Sequence, residues 1–182
     1  MEYLRIPKER VGVLIGRGGE TKRRIERELG VKLEVDSEGT VRITPSEDNP
    51  LSGWVARNVV RAIARGINPE KALKLADESY VLEVIDLSEY LRTPKAITRQ
   101  KARLIGSRGR TRRYIESTTG VTMSVYGKSV ALLGEHEEVA AAREAVIMLI
   151  QGKPHSVVYR YLDEKARELK QLRAASLWKR QW

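Results

Sequence analysis

A segment of 22 residues occurs twice in this chain, without gaps and ninety residues apart. The first copy starts at Leu14 and reads LIGRGGETKRRIERELGVKLEV, and the second starts at Leu104 and reads LIGSRGRTRRYIESTTGVTMSV. Half of the aligned positions are identical, and Lys22 is replaced by Arg112, which keeps the charge. Self-similarity on this scale predicts two homologous domains, each of about 65 to 80 residues and so near the lower limit for an independent core.

Each copy predicts the same order of elements, namely strand, helix, Gly-x-x-Gly loop, helix, strand, turn, strand and helix. Apolar residues spaced by three and four indicate the helices, and alternation of apolar with polar residues indicates the strands. The predicted helices span 8–15, 20–29 and 51–65, and then 95–105, 110–119 and 135–150. The predicted strands span 2–6, 31–35 and 41–43, and then 80–87, 121–126 and 129–133. In the helix over 51–65, the predicted buried stripe is Trp54, Val55, Val59, Ala62 and Ile63.

These elements divide the chain into four consecutive parts. We expect a first domain over residues 1–66, a helical linker over 67–79, a second domain over 80–152 and a C-terminal helical extension over 153–182. Asn68 followed by Pro69 is typical of a helix start, which predicts a short helix in the linker. An apolar stripe in the extension either packs on the second domain or is a docking surface for another protein; it consists of Leu162, Ala166, Leu169 and Leu172.

Positive charge is concentrated around the two copies of the loop. The chain has a net charge of +10. Residues 5–24 contribute +5 and residues 95–115 contribute +8, the latter without any acidic side chain, so the rest of the chain is slightly negative. Charge on an ordinary solvated surface would be scattered, whereas charge confined to a repeated loop indicates a polyanionic partner such as nucleic acid.

Residues that could support catalysis are few. The chain has no cysteine, and its two histidines, His136 and His155, lie on different predicted elements, so neither a thiol nucleophile nor a zinc site is expected. The five Asp residues lack the spacing of metal ligands. We therefore expect no enzymatic activity, no metal and no cofactor. Because no apolar run has the length of a signal peptide core or a membrane span, we expect a cytoplasmic protein.

The stretch VGVLIGRGGETKRRIERELGVKLEV, with its predicted order of elements, resembles the eukaryote-type (type I) KH domain. The second copy has Ala102 and Arg108 where the first has Gly12 and Gly18, but it keeps the signature residues Leu104, Ile105, Gly106, Gly109, Ile115 and Gly120. The resemblance implies an α+β fold with two tandem type I KH domains, each a three-stranded antiparallel sheet with three helices, followed by the helical tail. It also implies that each domain holds about four unpaired nucleotides in an aliphatic groove beside its loop.

The Gly-x-x-Gly loop suits a phosphate for a physical reason. Its glycines have no Cβ that would keep an anion away from the backbone, and the loop opens a helix whose free N–H groups and positive dipole end face the anion. The alternative is that the glycines only form a tight turn between two helices. The candidate RNA-binding residues are Gly16, Arg17, Gly18, Gly19, Lys22 and Arg23 in the first copy, and Arg103, Gly106, Ser107, Arg108, Gly109, Arg110, Arg112 and Arg113 in the second.

Aromatic side chains are not expected to stack bases here. The chain has no Phe, and of its Tyr and Trp residues only Tyr114 is adjacent to a loop. The groove walls are therefore expected to be aliphatic. The candidates are Val13, Leu14, Leu33 and Val35 in the first copy and Leu104, Thr122 and Met123 in the second, and each of them could equally be a core residue.

The two copies are not expected to bind equally well. Glu20 follows the first loop where Arg110 follows the second, and a carboxylate at that position repels a phosphate. The basic residue within the loop is Arg17 in the first copy and Arg108 in the second. We therefore predict that the second copy is the stronger RNA site, and that the first is a weaker RNA site or a module that binds protein.

The order of the units along the whole chain makes the resemblance more specific, because it points to one family of KH proteins. Two type I KH units, a helical linker and a basic helical tail are similar to the archaeal form of the partner-of-Nob ribosome-assembly family, and the most specific matches are ARLIGSRGRTRRYIE and VYGKSVALLG. This resemblance implies binding near the 3′ end of small-subunit rRNA and partnership with the endonuclease that trims that end. The alternatives are a KH adaptor of another RNA machine, such as an exosome-like complex or an mRNA regulator, and a protein scaffold.

Overall fold

The computed structural model describes residues 1–181, and the chain divides between residues 82 and 83 into two compact units. Residue 182, the last of the predicted extension, lies outside the described part. The first unit is built on one three-stranded antiparallel sheet. Its strands are β1 (Glu2–Arg5), β2 (Val31–Val35) and β3 (Thr40–Pro45), and its main helices are α1 (Lys8–Ile15), α2 (Glu20–Leu29) and α3 (Ser52–Ala64).

The core of the first unit lies between the sheet and these three helices. β3 is the central strand, and Leu33 of β2 lies opposite Ile43 of β3, so both side chains point to the same face of the sheet. Each helix supplies at least one fully buried residue to the core, namely Leu14, Ile25 and Ile63. The alternation of apolar and polar residues along the strands therefore separates the covered face of the sheet from the accessible one.

The turn between β2 and β3 is stabilised by the side chain of Asp36. Its Oδ1 accepts hydrogen bonds from the backbone N–H groups of Glu38 and Thr40, both at 2.9 Å. These bonds favour the ionised carboxylate, and the backbone bond from Thr40 is the largest cause of the lowered pKa of Asp36. Gly39 completes the turn with a φ of 95°, and a Cβ at this position would collide with the carbonyl oxygen of Ile6.

α3 buries a different stripe from the predicted one. Trp54 is 60% exposed and Val55 is half-buried, whereas Ala56 and Val60 are fully buried. The other members of the predicted stripe are buried as expected. The covered face runs through residues 56, 59, 60 and 63, and Trp54 lies about 200° around the helix from Ala56. The prediction for Trp54 was therefore wrong, because its size suggested burial although its angular position does not.

The linker begins with a short helix, α4 (Pro69–Ala72), which is followed by a 3₁₀ turn over Leu73–Ala76. As predicted, Asn68 is the N-cap, because its side chain accepts a hydrogen bond from the N–H group of Glu70 at 2.8 Å, and Pro69 occupies the first helical position. Both short elements pack on α3, so they are part of the first compact unit.

The second unit repeats this architecture and adds one long helix. Its sheet consists of β4 (Tyr80–Asp86), whose first three residues precede the division of the chain, β5 (Thr122–Tyr126) and β6 (Ser129–Glu135), in the spatial order β4–β6–β5. Its helices are α5 (Pro94–Ile105), α6 (Arg110–Thr119), α7 (His136–Ile150) and α8 (His155–Lys179). α5 starts as a capped helix, since the Thr93 side chain accepts a hydrogen bond from the N–H group of Ala96 at 3.1 Å.

α8 packs along α6 and α7 through one apolar face. Leu162 and Leu169 of the predicted stripe are buried on this face together with Val158, and Ala166 is half-buried, so these members of the stripe pack on the second unit. Leu172, its last member, is 57% exposed, and Trp178 near the end of the helix is exposed as well. A helix of this kind has no counterpart in the first unit, which ends its own fold with α3 and the linker elements.

The architecture agrees with the predicted α+β class. It consists of two three-stranded antiparallel sheets, each with three main helices, and of a C-terminal helix. In the part of the chain from residue 1 to residue 181, no helix combines the length and the apolar character that a membrane span requires.

Candidate nucleic-acid interface

The two Gly-x-x-Gly loops have nearly the same backbone conformation. The φ/ψ angles are 76°/175° at Gly16 and 75°/172° at Gly106. They are 78°/12° at Gly19 and 73°/17° at Gly109. Each loop forms one 3₁₀ turn between two helices of its unit. Two segments of the chain that share a sequence thus share a local structure, including the positive φ angles that favour glycine.

The third position of the loop is where the copies differ. Gly18 has φ/ψ of 59°/23°, and Arg108 adopts 56°/28°. Within residues 1–181, Arg108 is the only residue other than glycine with a positive φ. A side chain in the left-handed region costs about 1–2 kcal/mol relative to the right-handed conformation. The second loop therefore carries a positive charge at a strained position that the first loop fills with glycine.

α2 and α6 begin directly at the loops. Their N-caps are Gly19 and Gly109, and within the described residues no side chain caps either helix start. The N–H groups of Glu20 and Arg110 donate to the loop carbonyls of Arg17 and Ser107, whereas the N–H groups that follow in the first turn of each helix have no partner inside the helix. Together with the positive end of the helix dipole, these groups can bind an anion such as a phosphate.

The basic side chains beside the first loop are mostly engaged within the unit. Lys22 contacts Glu26 at 3.3 Å, and Arg23 donates a hydrogen bond to the carbonyl oxygen of Gly18 at 2.8 Å. Arg17 is exposed and has no polar partner within residues 1–181. Of the three basic candidates in the first copy, one is therefore immediately available to a ligand.

The second loop keeps more of its charge available. Arg112 pairs with Glu116 at 3.2 Å, as Lys22 does with its glutamate. Arg108, Arg110 and Arg113 are exposed, and they make no hydrogen bond or ion pair with any described residue. Three free guanidinium groups beside the second loop, against one beside the first, agree with the predicted inequality of the two sites. That inequality stays a prediction.

A glutamate that the sequence analysis did not single out joins the second helix of each unit to the sheet. In the first unit, Glu26 accepts a hydrogen bond from the backbone N–H group of Leu33 at 2.9 Å. In the second unit, Glu116 accepts one from the N–H group of Met123 at 3.0 Å. The two glutamates occupy the same position of the duplicated segment. This recurrence was the signal from which the sequence could have identified them.

Arg103, one of the RNA-binding candidates, is engaged at the end of α7. Its guanidinium group donates to the carbonyl oxygens of Leu149 at 2.6 Å and Lys153 at 2.5 Å. Leu149 is in the last turn of α7 and Lys153 follows the helix, so Arg103 ties α5 to the end of α7. Arg10 has the same role in the first unit, where it donates to the carbonyl oxygen of Ile63 at the end of α3 at 2.8 Å.

Most of the candidate groove walls are core residues. Four of them are at most 2% exposed, namely Leu14, Leu33, Leu104 and Met123. Three are half-buried and remain partly accessible, namely Val13, Val35 and Thr122. In each unit, an aliphatic groove would therefore be lined by the half-buried residues, and the buried residues would lie beneath them.

Tyr114, the aromatic residue next to a loop, is covered by α8. The centroid of its ring lies 4.2 Å from that of Tyr159, and its hydroxyl donates to the carboxylate of Asp163. This hydrogen bond is the main cause of the raised pKa of Tyr114. Tyr114 thus joins α6 to α8, which leaves less of its ring to stack a base. The duplicated segment gave no sign of Tyr159, because α8 has no counterpart in the first unit.

The two histidines are on different helices, as predicted, and His155 lies with its Nε2 3.1 Å from the backbone carbonyl oxygen of Arg103. Among residues 1–181, no group of three or more His, Cys, Asp or Glu side chains is placed to hold a metal ion.

Both units match known protein families. Residues 1–64 match the KH domain, and residues 81–167 match the eukaryotic type KH domain (KH-domain type I). The fold, the loops and these matches together define the class of this protein, which is a tandem KH RNA-binding protein. The predicted fold class is confirmed.

Three similar proteins indicate which family within this class the chain resembles. KH domain-containing protein MJ0443 of Methanocaldococcus jannaschii is 53% identical over 182 residues, which are 99% of this chain and 80% of that protein. A crystal structure of the a/eIF2alpha–aDim2p–rRNA complex from Pyrococcus horikoshii contains a chain that is 43% identical, with a TM-score of 0.86 and coverage of 92% of this chain and 94% of that chain. Pre-rRNA-processing protein PNO1 of Chaetomium thermophilum is 30% identical over 115 residues, 62% of this chain and 44% of that protein.

This chain belongs to the Dim2/PNO1 family, that is, the partner-of-Nob family of proteins with two KH domains. The resemblance seen in the sequence is thereby confirmed. The match spans less than half the length of the eukaryotic PNO1 protein, whereas it spans most of both archaeal relatives.

Proposed function

We propose that this protein binds single-stranded RNA through its Gly-x-x-Gly loops, with the second loop as the main site. We further propose that its ligand is small-subunit rRNA near the 3′ end during ribosome assembly. The observation that carries the proposal is the second loop, where an uncapped helix start lies among three exposed arginines that have no partner within residues 1–181. The Pyrococcus relative, which occurs in a complex with rRNA, supports rRNA as the class of ligand.

In the proposed binding mode, a phosphate lies against Gly106–Gly109 and the N–H groups of the first turn of α6 that follow Arg110, whose own N–H donates to Ser107. Arg108, Arg110 and Arg113 add charge around it, and guanidinium groups suit phosphate because they donate two parallel hydrogen bonds. Arg112 stands on the side of α6 that faces β5, since its partner Glu116 is bonded to Met123 of that strand. The bases would then lie along this side, over the half-buried Thr122.

The first loop has the weaker role in this proposal. Gly16, Gly18 and Gly19 provide the same backbone cradle, but Arg23 is bonded to the loop itself and Lys22 to Glu26. Glu20, the first residue of α2, also places a carboxylate beside the cradle. We infer that this loop contacts RNA with fewer free charges, which leaves the first unit open to a protein partner.

In ribosome assembly the protein would act without catalysis and without a cofactor. It would hold the 3′ end of the rRNA in place for a separate endonuclease that trims it, which is the partnership that the family implies. The relative in the Pyrococcus complex is bound to a/eIF2alpha as well as to rRNA, so we include that factor among the proposed protein partners. The domain limits 1–66 and 80–152, the linker and the extension stay predictions within this proposal.

The proposal is tested by reversing the charge of each loop in turn. Ser107→Asp with Arg108→Asp keeps both glycines of the second loop and places two carboxylates where the phosphate is expected. Arg17→Asp with Gly18→Asp is the matched change in the first loop. We expect the second-loop variant to lose about 1–3 kcal/mol of RNA-binding free energy, tenfold or more in affinity, and the first-loop variant to lose less. Ser107 and Arg108 are exposed, so the melting temperature should barely change.

The second-loop variant could bind a single-stranded 3′-end rRNA oligonucleotide as tightly as the unmodified protein while remaining folded. That result would remove the second loop from the RNA site. Sequencing the RNA that copurifies with the protein from cells tests the biological part of the proposal. Enrichment of small-subunit rRNA 3′ ends is expected, enrichment of mRNA or of exosome substrates would favour the adaptor alternative, and absence of RNA would favour the scaffold.

A further inference from the structure

A pocket of about 680 Å³ lies beside the second loop, on the side where α8 begins. Its walls come from α5, the loop, the first turn of α6 and the first turns of α8. The side chains that matter for its chemistry are Arg99, Ser107, Arg110, Thr111, Ser156 and Tyr159. Because the first unit has no helix that corresponds to α8, this combination of walls arises at the second loop.

The electrostatics of the pocket favour an anion. Arg99 and Arg110 line it, are exposed, and form no hydrogen bond or ion pair with the described part of the chain. Arg103 lines it as well, and its guanidinium group donates to carbonyl oxygens rather than to a carboxylate. No Asp or Glu is among the described residues that form the walls. The charge is therefore uncompensated at the place where a ligand would enter.

The hydroxyl groups of the pocket can donate hydrogen bonds to the same anion. Thr111 is only 2% exposed, and its Oγ1 lies 3.2 Å from the hydroxyl oxygen of Tyr159. One of the two hydroxyl protons makes this bond, so the other is available to a ligand. Ser107 and Ser156 have no side-chain partner within residues 1–181. Tyr159 is held in place by its ring contact with Tyr114.

Gly106, Ser107 and Arg110 belong both to the loop and to the wall of the pocket, so the two sites are continuous. We propose that the pocket binds a second phosphate of the RNA strand, next to the phosphate held by the loop, so that the strand runs from the loop towards the start of α8. This inference rests on the proposed function. The volume is sufficient for a phosphate together with its sugar.

The test places a carboxylate on either side of the boundary of the pocket. Ser156→Asp introduces one inside, whereas Val157→Asp introduces one at the next residue, which is 39% exposed and does not line the pocket. Both positions are in the first turn of α8, where an acidic side chain favours the helix, so both variants should stay folded. The probe is a single-stranded RNA of eight nucleotides with the sequence of an rRNA 3′ end, titrated at several salt concentrations.

We expect Ser156→Asp to weaken binding about three- to tenfold and to reduce the salt slope by about 0.7, which corresponds to one lost phosphate contact. Val157→Asp should change affinity less than about twofold. Arg99→Gln should also reduce the slope, and its control is Lys95→Gln, one turn earlier on α5 and outside the pocket. If Ser156→Asp and Val157→Asp have equal effects, whether both are large or both are absent, the proposed phosphate site in the pocket is rejected.

The variant with Ser107→Asp and Arg108→Asp is measured in the same titration, because it separates the two ideas. If it binds like the unmodified protein, the proposed function itself fails. If it loses affinity while Ser156→Asp and Val157→Asp behave alike, the loop site stands and the second phosphate site alone is rejected.

Discussion

A Cβ atom on Gly106 would lie 2.7 Å from the backbone nitrogen of Thr111 and closer still to its hydroxyl oxygen, and Gly16 stands in the same relation to Thr21. The loop therefore closes tightly onto the first turn of the helix that follows it. Both the glycine and the threonine recur in the duplicated segment. The absence of a Cβ at this glycine is therefore what allows the loop to lie directly against the start of the helix.

Gly106→Ala should destabilise the second unit because the added Cβ meets backbone atoms as well as a positive φ of 75°. Gly127→Ala is the control, since Gly127 has a φ of 56° but nothing within 4 Å of its Cβ position. We expect about 1 kcal/mol of lost unfolding free energy for the control and about 1–2 kcal/mol more for Gly106→Ala. Denaturant unfolding measures both, and equal losses would contradict the role assigned to the contact with Thr111.

Arg108→Gly should stabilise the protein and weaken RNA binding at the same time. Removing the side chain from a φ of 56° relieves about 1–2 kcal/mol of strain, part of which is offset by the greater freedom of glycine in the unfolded chain. The loss of a free guanidinium group should reduce affinity about threefold to tenfold. Gly18→Arg is the reciprocal change at a matching backbone conformation, so it should lower stability and raise affinity. Thermal unfolding and RNA titration are measured together. A gain in affinity on Arg108→Gly would exclude Arg108 from the site.

RNA binding should depend steeply on salt concentration. If the two units together contact about 4 to 6 phosphates, the slope of log K against log salt is about −3 to −4 for a single strand. This slope corresponds to about a hundredfold loss of affinity between 50 and 200 mM salt. Fluorescence anisotropy of a labelled oligonucleotide measures it, and a slope near zero would mean that the basic loops do not contact RNA.

Unpaired RNA should be preferred to duplex. An aliphatic groove beside the loop can take exposed base edges, and a perfect duplex hides those edges in base pairs. We expect single strands of four or more nucleotides to compete well for binding and a duplex of the same sequence to compete poorly. Equal competition by both would indicate general attraction of charge, without a groove for bases.

The variant Asp36→Asn tests how much the ionised side chain of Asp36 stabilises the turn between β2 and β3, by way of the pH dependence of stability. The folded state lowers the pKa of Asp36, so the ionised side chain contributes stability that is complete above the unfolded value of about 4 and is lost as pH falls through the lowered folded value. The Asn variant should therefore melt at a lower temperature at pH 7, and the difference should shrink in acid. A difference that persists below the folded pKa would assign the effect to shape and not to charge.

The sequence alone was sufficient to predict most helix boundaries. α1, α2 and α6 begin and end where they were predicted, because Pro7 before α1 and the glycines at the other helix ends act locally on the backbone. The short linker helix was predicted for a similar reason, since its cap is a neighbour in sequence. Trp54 was mispredicted because burial depends on which side of a helix another element covers, and that is a property of the packed unit.

The duplicated sequence by itself determined that there are two similar units, that each carries a glycine loop at a helix start, and that the charge lies beside these loops. These features follow from local rules of backbone conformation and from electrostatics along the chain. The tertiary structure decided which charges are free. Arg103 is bonded to the end of α7, Arg23 to its own loop, and Tyr114 to α8, whereas Arg108, Arg110 and Arg113 have no partner among the described residues. The reason is that a side chain's partners come from elements distant in sequence, which meet only when the core is packed.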